Sequence, residues 1–132
     1  MATLDRFTRS YLETILWSET DDSNDNGGEP LDKNYGIEDF SPEAIALAVA
    51  DCKAFQAANE EDIAAMPDSS TGTNSIEYAG YLFWLTRVGH GTGFWDHEEE
   101  FPDGVAESLT AASKAAGERY VEIGDDGQIH MQ

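Results

Sequence analysis

The chain has 132 residues, enough for one core and not for two, and a domain of that size buries roughly two thirds of the surface its unfolded form exposes. A hydrophobic fraction of 40% with 11% aromatics excludes a disordered chain, while 27 acids against 7 bases leave a net charge of −20. Such a field repels nucleic acid, anionic membranes and free nucleotides, so the partners it favours are cations and basic protein surfaces.

The single Cys52 precludes an intramolecular disulfide, which fits a reducing compartment. The longest apolar run, Ala79 to Leu85, is too short to cross a bilayer, and the opening MATLDRFTRS lacks the apolar centre of a signal peptide. A cytoplasmic protein is expected, with no membrane partner and no direct nucleic-acid contact.

In chain order, Leu4, Phe7, Tyr11, Leu12, Ile15 and Leu16 recur at three- and four-residue spacing and predict an amphipathic helix ending near Trp17. The stretch SETDDSNDNGGEP follows, and its glycines, proline and mutually repelling acids predict a flexible loop near 19–30. Leu31, Tyr35, Ile37 and Phe40 return the chain to the core, and Ser41 with Pro42 forms a helix start. The second helix is expected to run to about Ala65 with Ile45, Val49, Cys52 and Phe55 buried, and a second flexible acidic loop is expected near 67–75.

Aromatic and β-branched residues flanking GHGTG predict a β-hairpin, with strands at Tyr81–Val88 and Gly93–Asp96. Pro102 and Asp103 open a predicted third helix with Val105, Leu109, Ala112 and Ala116 on one face and Gly117 as its left-handed cap. A closing hairpin pairs Tyr120, Val121 and Ile123 with Ile129 and Met131 around an Asp126-Gly127 turn. The expected architecture is therefore α+β in one domain spanning 1–132: two helices, a hairpin, a helix and a hairpin.

Four constellations bear on chemistry. His90 and His97 with Asp96, Glu98, Glu99 and Glu100 have the donor types of a divalent-metal site, but no recurrent ligand spacing, and they read more simply as turn and surface residues. His90 as a base oriented by Asp96, with Thr92 or Ser75 as nucleophile, would be catalytic, yet nothing in the spacing brings these groups together. GHGTG exposes backbone N–H groups to an anion, but no helix follows it and only Arg87 is close, so its glycines read as turn formers. No resident metal, no cofactor and no enzymatic activity is expected.

The fourth is the acidic surface. Carboxylates three or four residues apart on a helix lie about 5–6 Å from one another, a row of negative charge comparable with a nucleic-acid backbone. Asp21, Asp22, Glu38, Asp39, Glu60, Glu61, Asp62, Asp96, Glu98, Glu99 and Glu100 are the candidate partner-binding residues, with Glu13, Glu43 and Asp51 as further contributors. The plainer reading is that the acids confer solubility or tolerance of high salt.

FWLTR at 83–87 followed by GHGTGFWD at 89–96 resembles a pattern in short, acidic proteins of tailed bacteriophages, a group without an assigned activity. The resemblance extends to LDRFTRSYLETILW, to EPLDKNYGIEDFSPEAIALAVADCKAF and to GDDGQI, and it implies a phage origin. In profile the chain is similar to antagonists of host defence, many of which mimic DNA to block restriction or CRISPR complexes. The expected function is thus an acidic accessory protein that binds a basic, nucleic-acid-binding host protein. One alternative is a small-molecule- or metal-binding domain with a pocket around Trp84, Arg87, His90, Trp95 and His97. Another is an interaction protein of the virion or replication machinery.

Overall fold

A computed structural model describes residues 4–21, 29–68, 72–89 and 91–132. The fold is mixed helix and strand in one small domain, with a two-stranded antiparallel sheet at the C-terminal end. Helix α1 spans Arg6–Ser18, where Asp5 caps the start by accepting the Thr8 N–H at 2.7 Å. Its expected stripe is buried, from Phe7 through Tyr11, Leu12 and Ile15 to Leu16, with Leu4 packed against the core at the margin.

The loop expected near 19–30 contains a short antiparallel pairing, β1 (Thr20–Asp21) with β2 (Glu29–Pro30). The residues between them, including Asp22, lie outside the described residues. Two 3-10 turns, Leu31–Lys33 and Ile37–Asp39, bring Leu31 and Phe40 into the core.

Helix α2 (Pro42–Ala58) starts as expected, the Ser41 hydroxyl accepting the Ala44 N–H at 3.0 Å. Two expectations for this region are overturned. The helix breaks at Asn59, whose side-chain amide donates to the Phe55 carbonyl at 2.9 Å, and a separate helix α3 covers Glu60–Ala65. The buried face is Ala44, Ala48, Cys52 and Phe55, so Ile45 is only half-buried and Val49 is exposed. Alanine at two successive turns lets α2 lie close against α1, and a bulkier stripe would hold it away.

The largest correction concerns the predicted strand Tyr81–Val88, which belongs instead to helix α4 (Ser75–Val88). Asn74 accepts the Ile76 N–H at 2.9 Å at its start. Gly89 ends it in the left-handed region at φ 72°, its N–H returned to the Leu85 carbonyl. Tyr78, Ala79, Leu82, Phe83, Trp84, Leu85, Thr86 and Arg87 are all buried, so α4 is covered nearly all round and is the central rod of the domain. Gly80 is the contact that sets its distance from α1: a Cβ there would run into the Phe7 carbonyl oxygen.

The second predicted strand, Gly93–Asp96, is also replaced, by 3-10 turns over Phe94–Glu100. Gly93 packs on the Thr86 side chain, and the Phe94 N–H donates to Thr86 Oγ1 at 3.1 Å, fixing this segment to α4. Helix α5 (Val105–Ala115) begins after Gly104, two residues later than Pro102 and Asp103 suggest. It buries Val105, Ala106, Leu109 and Ser113, leaving Ala112 at the margin and Ala116 exposed, while Gly117 takes the expected left-handed φ of 82°.

Strands β3 (Val121–Ile123) and β4 (Ile129–Met131) form the predicted hairpin, with Gly127 at φ 77° in the turn. The Ser41 N–H donates to the Ile129 carbonyl at 2.9 Å and ties the hairpin to the start of α2. The core beneath these elements is aromatic. Phe55 stacks on Phe83 at 4.0 Å between ring centroids, and Phe7, Tyr11, Trp84 and Phe94 complete the cluster.

Candidate functional site

The polar centre of the molecule is a guanidinium held inside the helices. Arg87 comes from the last turn of α4 and is 4% exposed. Its Nε donates to the Gly117 carbonyl at 2.7 Å and its Nη2 to the Ala116 carbonyl at 3.0 Å, so it caps the carboxyl end of α5. Its Nη1 donates to Tyr11 Oη at 3.1 Å and to Asp51 Oδ2 at 3.0 Å, and its Cζ lies over the Phe83 ring, 5.0 Å from the centroid.

Asp51, on α2, also receives Arg119, whose Nε and Nη2 donate to Oδ2 and Oδ1 at 2.8 and 2.9 Å in the bidentate geometry that suits a carboxylate. Burial would raise the Asp51 carboxyl, but the hydrogen bonds and charges of Arg119 and Arg87 outweigh it and hold the group below the usual carboxylate range. Asp51 is therefore an internal tie between α2, α4 and the end of α5, and not the exposed contributor its sequence position suggests.

Most of the other carboxylates face outward. Glu60 and Glu61 on α3 are exposed with Asp62 half-buried, as are Glu98, Glu99 and Glu100 in the 3-10 segment. Glu38 is exposed, and Asp39 accepts the Gly36 N–H at 2.8 Å. Asp21 lies in β1. Asp96 accepts from the Thr92 hydroxyl at 2.8 Å through Oδ2. Ser75, the other nucleophile considered, opens α4, whereas Gly93, next to Thr92, packs on Thr86 three turns further along that helix.

Of the five residues of the alternative pocket, the four that are described stand in different surroundings. Trp84 is fully buried, its indole N–H shared between Ser18 Oγ at 3.1 Å and Glu19 Oε2 at 3.2 Å, and Arg87 is occupied as described. His97 stands on the outer side, its Nδ1 2.5 Å from Glu100 Oε2 and its ring edge-on to Tyr78 at 5.6 Å. His90 lies outside the described residues. Among the described residues no group of three histidine, cysteine or carboxylate side chains is placed to hold a metal ion, and no helix is long and apolar enough to cross a membrane. Burial pushes the Cys52 thiol up, which makes it an apolar packing group at neutral pH.

Trp95 behaves differently. It is 47% exposed and forms one wall of an open groove of about 360 Å³, completed by Glu98 and by Glu107, Thr110, Ala111 and Lys114 of α5. Arg119, Glu107 and Lys114 were not marked by sequence reasoning. The i, i+3, i+4, i+7 spacing of Glu107, Thr110, Ala111 and Lys114 was the available signal, since it places all four on one helical face.

No protein-family model, curated protein or solved structure matches this chain.

Proposed function

We propose that the protein binds a basic, nucleic-acid-binding protein through its carboxylate surface and competes there with nucleic acid. The supporting observation is how the charges are divided between inside and outside. Two of the seven basic side chains, Arg87 and Arg119, are turned onto one aspartate, so the remaining groups are one unit more negative than the whole chain's −20. Of the other bases, Arg9 pairs with Glu13 and Lys33 with Glu29. The carboxylates of α3 and of the Phe94–Glu100 segment lie at the surface, where they concentrate negative charge in two short stretches. The resemblance to acidic phage proteins extends this reading to a host defence complex, of the restriction or CRISPR type, as the target.

Charge reversal tests the reading. Glu60→Lys with Glu61→Lys and Asp62→Lys, or the same change at Glu98, Glu99 and Glu100, should abolish binding to the basic partner while the helical circular dichroism is kept. Binding by the unaltered protein should fall steeply between 50 and 200 mM salt, as screening of the opposed surface charges requires. Salt-independent binding that survives both reversals would exclude it.

A further inference from the structure

The Trp95 groove has the composition of a seat for a single cationic side chain. Trp95 and Glu98 stand on either side of the kink at His97 in Phe94–Glu100, and both line the groove. Glu107 and Lys114 come from opposite ends of the facing row on α5, with Thr110 and Ala111 between them as a shallow floor. Glu98, Glu107 and Lys114 are all exposed. Two carboxylates against one ammonium leave the groove negative, and the half-exposed indole supplies the face on which a flat cation stacks. Among the described residues the buried Thr110 Oγ1 has no hydrogen-bond partner.

We infer that this groove receives an arginine side chain of the basic partner, its guanidinium stacked on Trp95 and its N–H groups directed to Glu98 and Glu107. The inference rests on the reading of the protein as a binder of basic proteins and adds a residue-specific anchor to a surface that otherwise attracts any positive charge. Arginine is favoured over lysine because a planar guanidinium stacks on an indole and keeps donors in its own plane for two carboxylates, whereas an ammonium is a strongly hydrated point charge. A volume of about 360 Å³ open to solvent suits one side chain and not a helix. Lys114, at the far end of the row, opposes the guest by like charge.

Capped hexa-arginine and hexa-lysine peptides, equal in charge, separate the groove from the general field. Calorimetry at 150 mM salt should show the arginine peptide binding about tenfold more tightly. Trp95→Ala, and separately Glu98→Gln with Glu107→Gln, should bring it to parity with the lysine peptide. Lys114→Gln should tighten the arginine peptide a few-fold, about the effect of removing one like charge near a surface. In proton–nitrogen spectra the indole N–H of Trp95 should move on titration and that of Trp17 should not. Equal affinity for the two peptides in the unaltered protein would overturn the arginine seat while leaving the general attraction to basic surfaces intact. Absence of binding by either peptide, or an arginine preference that persists in Trp95→Ala, would overturn it as well.

Discussion

Arg87 Nη1 donates to Asp51 Oδ2 across 3.0 Å, and the Arg87 side chain is 1% exposed at that contact. A guanidinium so enclosed is tolerable because three more of its five donors meet two carbonyls and a phenol. Removing the carboxylate leaves a buried positive charge without its counter-ion. Asp51→Asn should therefore destabilise the fold by about 3 kcal/mol, read as a lower urea midpoint at unchanged slope. Arg119→Gln, which removes a half-exposed partner of the same carboxylate, should cost about 1 kcal/mol or less.

The same carboxylate sets part of the acid sensitivity. Its pKa is lowered in the folded state, so its contribution to stability is present above the ordinary carboxylate value, near 4, and is lost as pH falls through the lowered one. Stability measured by urea unfolding should decline more steeply below about pH 4 in the unaltered protein than in Asp51→Asn, which has no proton to take up there.

Gly80 and Gly89 make a matched pair of backbone tests. At Gly80 an added methyl meets the backbone of Phe7, which cannot swing aside, so Gly80→Ala should separate α1 from α4 and cost about 2–3 kcal/mol. At Gly89 the surrounding space is open and only the positive φ opposes a side chain, so Gly89→Ala should cost about 1 kcal/mol. Thermal unfolding of the two variants orders them, and a larger loss at Gly89 would contradict the close crossing.

The exposed Asp126 and His130 side chains, 3.0 Å apart, provide a titration with a definite sign. The hydrogen bond to Asp126 raises the His130 pKa above 6.5, with further support from the Glu43 and Glu122 charges. The interaction favours the folded state at pH values below the ordinary histidine range and fades as pH rises through the raised value. The His130 ring resonances should titrate above 6.5, and Asp126→Asn should move the midpoint down.

The closing hairpin and the first helix were legible because their signals are local: an Asp-Gly turn flanked by alternating apolar residues, and an apolar stripe at helical spacing. The segment 81–88 was not, for a physical reason. An element buried on nearly every side has no polar face to reveal its period, so its aromatic content reads as strand. The capping residues were the better guide, since Asn74 and Gly89 bracket a helix-length interval. Arg87 was placed only as the cation near a glycine loop and as one residue of a possible pocket, because its partners lie far off in the chain, Asp51 at 36 residues and Tyr11 at 76. Glu38, Glu60, Glu61, Asp96, Glu98, Glu99 and Glu100 are exposed, but that Asp51 is turned inward follows only from the packing of α2 against α4.

The most direct test of the account is capture on the immobilised protein from a bacterial lysate at low salt, followed by elution with double-stranded DNA. The account predicts that DNA-binding proteins are retained, that DNA releases them, and that the charge-reversed Glu98, Glu99 and Glu100 variant retains far less. Retained proteins that DNA does not displace, or equal retention by the charge-reversed variant, would contradict it.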